Sequence, residues 1–214
     1  MADKELTHIV FLLDRSGSMQ SIKTDVVGGF QAFVTEQRGG EGKCRVTLAQ
    51  FDNEYEVVYQ DISIEDVPPL DLSPRGSTAL LDSMGKLITD TAARITALPE
   101  EAKPATVIVA IMTDGHENAS MEWTRPAIKA LVEQQTNDHG WQFLYMGADQ
   151  DAVEVGTSLG VGAEHSVTYA RGRSREAWVT TSGKVRGYRD RRILDEDAVM
   201  SGYTAEERST LAQE

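Results

Sequence analysis

The chain has 214 residues, 40% hydrophobic and 26% charged, an ordinary globular balance with length enough for one sizeable core. A formal charge of −13 makes its body acidic and argues against nucleic acid as the main partner, because phosphate contacts need a basic face. The lone cysteine, Cys44, rules out an internal disulfide, and no apolar run approaches the roughly 20 residues that cross a bilayer.

The N-terminal residues lack a basic stretch leading into an apolar one, so no signal peptide is expected and the setting reads as cytoplasmic. Residues 7–13, THIVFLL, read as a strand buried on both faces, as in a parallel sheet. A helix is expected from Ser21 to Gln37, with Ile22, Val26, Phe30, Phe33 and Val34 on one stripe and Gly39-Gly40 at its end. Residues 44–51 and 54–62 are β-rich and separated only by Asp52-Asn53, a hairpin signal that puts one antiparallel strand at a sheet edge.

After a loop over 67–76, a long amphipathic helix runs through Leu80, Leu81, Met84, Leu87, Ile88, Thr91 and Ile95. Residues 105–113 form a second strongly apolar strand, closed by Asp114-Gly115. A helix over 124–138, a strand over 141–147, a short helix over 149–158 and a weak strand over 165–169 follow. The order predicts an α/β, doubly wound, Rossmann-like fold. Its sheet has six mostly parallel strands and one antiparallel edge strand, with helices on both faces.

We divide the chain at 170: residues 1–170 as the domain, 171–214 as a helical extension that is packed on it or mobile. The extension opens with a basic segment, 171–192, holding eight basic residues against two acidic ones. Trp178, Val185 and Tyr188 stand there at one-stripe spacing, which favours a helix docked by its aromatic face over a protein or RNA contact. A last helix starts near 205, where Thr204 and Glu207 have capping-box spacing.

Ligands of open parallel sheets bind beyond the carboxyl ends of strands, where strand order reverses. Asp14 closes the first apolar strand there, and Asp114 closes the strand over 105–113. Were those strands neighbours, both carboxylates would share one crevice, with Ser16, Ser18 and Thr78 supplying hydroxyls. Such hard oxygen donors suit Mg²⁺ or Mn²⁺, with Ca²⁺ a further candidate, and suit zinc poorly. Each residue has a plainer reading. The 14–18 stretch can be an Asx-type turn, and Thr78 can be a helix N-cap, a role Ser77 fills equally well. Ser77 therefore stays open as the ligand in place of Thr78, and Asp82 as a solvated carboxylate or a more distant support.

The stretches DRSGSM (14–19), GSTAL (76–80) and TDG (113–115) resemble a von Willebrand factor type A (VWA) domain with a metal-ion-dependent adhesion site. The resemblance spans residues 6–170 and maps the family's pattern onto Asp14, Ser16, Ser18, Thr78 and Asp114. GGFQAFVTEQ, PRGSTALLDS, TDGHENAS and GWQFLYMGADQDA are further similar to small stand-alone bacterial members. It implies that the serines and threonine bind metal directly or through water, the aspartates often through water, and that an acidic residue of a partner protein completes the octahedron.

The expected function is therefore a divalent-metal-dependent protein-binding module, not an enzyme, whose unidentified partner presents Glu or Asp. The alternative is a metal-dependent hydrolase or phosphotransferase at the same site. Against it, no nucleophile–base pair is evident, and His116 is the one nearby histidine, expected with Glu117 at the crevice rim. His-Glu-Asn at 116–118 is no zinc-protease motif either, since position 120 is Ser120. A third reading, a scaffolding subunit of a larger ATP-driven or defence assembly, would use the same crevice for binding.

Overall fold

A computed structural model describes residues 2–213. Strand β1 (Asp3–Asp14) leads through a tight 3-10 turn (Gly17–Ser21) into α1 (Lys23–Arg38). The hairpin of β2 (Lys43–Phe51) and β3 (Tyr55–Ser63) precedes α2 (Leu80–Ala97), β4 (Pro104–Thr113) and α3 (Arg125–His139). Then come β5 (Gln142–Ala148), α4 (Ala152–Ser158), β6 (Ser166–Tyr169), α5 (Ser174–Leu194) and α6 (Ala205–Ala212). The single sheet has the order β3-β2-β1-β4-β5-β6, parallel throughout except for β3 at the edge. This is the doubly wound architecture expected from the sequence.

The period-two geometry of β1 explains its unbroken apolar run. Ile9, Phe11 and Leu13 face one core, shared with residues of α1 and α5. Val10 and Leu12 face the other, shared with α2 and α3. Helix ends follow local chemistry. Thr124 caps α3 by accepting the Ala127 N–H, and Gly140 stops it in the left-handed region at φ 67°. At α6 the Thr204/Glu207 capping box forms in both directions. By contrast α1 begins at Lys23, because residues 17–21 wind as the tighter 3-10 turn.

Helix α5 extends to Leu194, past the end of the aromatic stripe. Trp178 lies edge-to-face with Phe11, Phe30 and Phe33, at centroid distances of 5.8, 5.6 and 5.7 Å. Gln37 of α1 donates to Ser182 O and Oγ, each at 2.9 Å. The buried Arg189 donates to Gln37 O and Oε1. Val185 and Tyr188 are buried as well. Several charges of the basic segment are thus spent on internal hydrogen bonds and ion pairs.

Among the described residues no helix is long and apolar enough to cross a membrane. Cys44 is 6% exposed, and burial pushes its thiol up to about 11. Since the thiolate is the reactive species, Cys44 should resist a thiol-specific reagent in the native protein at neutral pH and react promptly in denaturant. Equal rates in the two states would show that the β2 end opens readily.

Candidate functional site

The order of the sheet places its topological switch between β1 and β4. From β1 the chain crosses to β2 by α1, on one face, and from β4 to β5 by α3, on the other. Asp14 ends β1 and Asp114 follows the last residue of β4, so both stand at the mouth of the crevice this reversal opens. Each side chain is buried: Asp14 is 0% and Asp114 5% exposed.

Asp14 Oδ1 accepts the Ser16 N–H at 2.6 Å, and Oδ2 accepts the Thr113 hydroxyl at 2.6 Å. The first bond makes the Asx-type turn of the plainer reading, so the turn and the convergence of oxygens coexist. Ser16 Oγ and Ser18 Oγ lie 3.1 Å apart, and the Ser18 hydroxyl donates to Asp114 Oδ1 at 2.6 Å. Burial is the main reason the Asp14 carboxyl is pushed up to about 6; hydrogen bonds from Thr113 and Ser16 oppose it, and the Asp114 charge adds to it.

Thr78 arrives from the loop before α2. Gly76, in the left-handed region at φ 67°, turns the chain where a side chain would strike Asn53 Oδ1. Loop contacts then fix the approach: Gly17 N–H donates to Gly76 O, Arg75 N–H to Arg15 O, and Ala79 N–H to Asp52 O. Asn118 locks the other side, accepting the Thr78 N–H on its side chain and donating its own N–H to Thr78 O. The N-cap of α2 is Ala79, without a side-chain cap bond, so Thr78 is not spent as that cap.

Gly115 reveals how closely the oxygens converge. A Cβ placed on it would lie 2.8 Å from Thr78 Oγ1, 3.6 Å from Ser18 Oγ and 3.7 Å from Asp14 Oδ2. Oxygens from two segments, the turn after β1 and the loop before α2, therefore border one small volume that the glycine of a third loop leaves open. No group of three or more His, Cys, Asp or Glu side chains suited to a metal occurs among the described residues. A cation in this crevice would thus depend on hydroxyls as well as the two carboxylates, and the donor set fits a hard divalent ion.

Several residues that shape the site gave no sign of it in the sequence. Asp52, fully buried, is more than the hairpin turn its spacing suggests. It accepts from Arg15 Nε at 2.9 Å and Arg75 Nε at 2.8 Å, tying two site loops together. Glu117, expected at the rim, serves structure instead. Its carboxylate accepts the N–H groups of Leu81, Ala119 and Ser120 and the Ser120 hydroxyl. The N–H of Leu81 is one of the donors a helix start leaves unpaired. Asp82 is partly exposed, and its carboxylate accepts the N–H groups of Met121, Glu122 and Trp123. His116 is exposed.

Arg171, between β6 and α5, also enters the site. Its Nη1 donates to Asp114 Oδ2 at 2.7 Å, to Ser21 Oγ at 3.0 Å and to Ser18 O at 3.3 Å. Its Nε donates to Asp149 Oδ2 at 2.7 Å. Asp149 follows β5 directly with a left-handed backbone at φ 46°.

No protein-family model matches the sequence, and neither does any curated protein. Solved structures do match the fold. A von Willebrand factor type A protein from Catenulispora acidiphila aligns at TM-score 0.57 and 13% identity, over 85% of this chain and 43% of its own. The vWF domain of a type V pili tip protein from Porphyromonas gingivalis aligns at TM-score 0.57 and 14% identity, over 84% of this chain and 94% of its own. An ArnB paralogue from Sulfolobus acidocaldarius aligns at TM-score 0.51 and 15% identity, covering 81% and 44%. The chain spans less than half the length of the first and third of these. Its fold is that of VWA domains.

Proposed function

We propose that the chain is a protein-interaction module that depends on a divalent ion held by Asp14, Ser16, Ser18, Thr78 and Asp114. The observation that carries this reading is the convergence of Thr78, Ser18 and Asp14 oxygens on the space left by Gly115. Two buried carboxylates lie against that space with only neutral donors on Asp14. A divalent cation offsets the burial cost of Asp14, which has no cationic partner, and competes with Arg171 for Asp114.

When bound, Mg²⁺, or Mn²⁺ or Ca²⁺ in its place, supplies an electrophilic position for an anionic oxygen of a partner. The protein's part is to orient and to leave the charge incompletely neutralised. Ser16, Ser18 and Thr78 contribute neutral oxygens, so a Glu or Asp side chain from a partner protein gains by docking there. A cytoplasmic setting is part of this proposal. Use of Glu117 by four internal hydrogen bonds supports binding over hydrolysis, since it is unavailable as a base. The pili tip neighbour is compatible with an interaction role.

The test is thermal unfolding with Mg²⁺, Mn²⁺ or Ca²⁺ against EDTA. An ion that binds only the native state stabilises it by about 2.7 kcal/mol at a hundredfold excess over its dissociation constant. Asp14→Ala and Asp114→Ala should each remove that gain while the protein still folds. A metal response that survives in both variants would place the ion elsewhere and end this reading.

A further inference from the structure

The C-terminal segment puts a cation of the protein's own into the crevice. Arg171 reaches the ends of three site elements at once. It binds Asp114 after β4, Asp149 after β5, and the Ser18 carbonyl and Ser21 hydroxyl in the turn after β1. The two aspartates of the site differ in consequence. Both carboxylates have both oxygens engaged, but Asp14 only by neutral donors, whereas Asp114 Oδ1 takes the Ser18 hydroxyl and Oδ2 the guanidinium. The Asp114 side chain is wholly shielded from solvent, while the Arg171 side chain is 36% exposed, so water screens the pair from the arginine's side only.

We propose that Arg171 is a tethered counter-cation, which holds Asp114 in the ion-free protein and gives it up when an ion is loaded. This rests on the metal-binding reading above. A divalent ion drawn by Asp14 and Asp114 carries charge of the same sign as the guanidinium, and both compete for the negative charge of Asp114. The second anchor makes the exchange feasible. Asp149 is about half exposed, and its bond to Arg171 Nε does not involve Asp114. Released at Nη1, the side chain stays paired at Asp149 rather than being left alone. Residue 171 then sets the metal concentration at which the crevice becomes competent for a partner, and joins that event to the segment leading into α5.

Linkage makes the idea measurable in both directions. Mn²⁺ binding is followed by calorimetry and by loss of the free-ion EPR signal, in wild type, Arg171→Gln, Arg171→Lys and Asp114→Ala. Removing the competing charge in Arg171→Gln should tighten Mn²⁺ about tenfold, within the usual range of coupling between two sites. Arg171→Lys keeps the charge but has one nitrogen where the guanidinium uses two, so it should tighten Mn²⁺ less than Arg171→Gln does. In wild type, with no substitution needed, Mg²⁺ should speed amide exchange over residues 171–175. If Arg171→Gln binds Mn²⁺ no tighter than wild type while Asp114→Ala loses it, the arginine is a structural clamp and the inference is overturned. Unaltered exchange in wild type, at an Mg²⁺ concentration shown to saturate it, overturns it too. No Mn²⁺ binding by wild type or Arg171→Gln defeats the metal reading itself, and this inference with it. Those outcomes are distinct.

Discussion

Trp178→Ala is expected to lower the unfolding free energy by about 3–5 kcal/mol, the usual cost of truncating a buried aromatic residue. That is a large share of the roughly 5–15 kcal/mol a domain has. The indole is 1% exposed and packs against three phenylalanines from β1 and α1. It also lies directly over Gly29, where a Cβ would come within 2.5 Å of its Cδ1. The slot and the ring are therefore matched. Gly29→Ala should cost roughly 1–3 kcal/mol by overpacking. In the double variant the methyl enters the space the indole vacates, so the two losses should sum to more than the observed total. Urea unfolding followed by far-ultraviolet circular dichroism gives all four free energies. A Trp178→Ala midpoint equal to wild type would mean that α5 contributes nothing to the core of α1 and β1.

Much of this packing could be read from residue order, for identifiable reasons. β1 and β4 announce themselves because a strand covered on both faces has no polar alternation to confuse with a surface helix. Asp52-Asn53 marks a hairpin because two turn-forming residues separate two β-rich runs. For α5 the Trp178, Val185 and Tyr188 stripe indicates a helix over 174–189; the Asp190-Arg191-Arg192 run breaks that stripe, although the helix continues to Leu194. The candidate site was legible in part, since Asp14, Ser16, Ser18, Thr78 and Asp114 fall at loop positions that strand ends bring together.

Its supports were not. Asp52, Asn118 and Glu117 are polar residues in polar loops and Asp82 is one in the first turn of α2, and such residues look alike until their partners are known. Arg171 is the extreme case, 57 positions from Asp114. Within a run of basic residues, nothing local distinguishes the arginine that turns inward from those that face solvent.

Burial at two points of β1 should produce opposite responses to acid. At the carboxyl end, burial raises Asp14 from an ordinary 3.8 to about 6. Between those values the native protein holds a proton that the unfolded chain does not. Asp14 therefore contributes stability as pH falls from 6 towards 4 and loses it as pH rises through 6. In the middle of the strand His8 is 2% exposed, and burial, reinforced by the charge of Arg94, lowers it from 6.5 to about 3. His8 accepts from Arg94 on one ring nitrogen and meets Thr47 Oγ1 at 2.9 Å with the other, a neutral-imidazole arrangement. Here the unfolded chain binds the extra proton, so stability is lost as pH falls below 6.5.

Each group changes stability by about 1.4 kcal/mol per pH unit inside its window, and between pH 6 and 4 the two slopes oppose. In EDTA the wild-type profile should accordingly be shallow over that range as far as these two groups decide it. Asp14→Asn leaves His8 unopposed, and relative to wild type should lose roughly 2–3 kcal/mol between pH 6 and 4. His8→Gln leaves Asp14 unopposed and should gain by a similar amount over the same interval. Denaturant titrations at half-unit pH steps give both differences, with the other titrating groups cancelling between variant and wild type. Saturating Mg²⁺ adds a further arm, because an ion at Asp14 keeps that carboxylate charged in the native state. Wild type should then take on the slope of Asp14→Asn, and Asp14→Asn itself should not change slope on adding the ion. Parallel profiles for wild type and both variants would show that neither β1 residue is held away from its ordinary titration, and that the crevice is wetter than its burial implies.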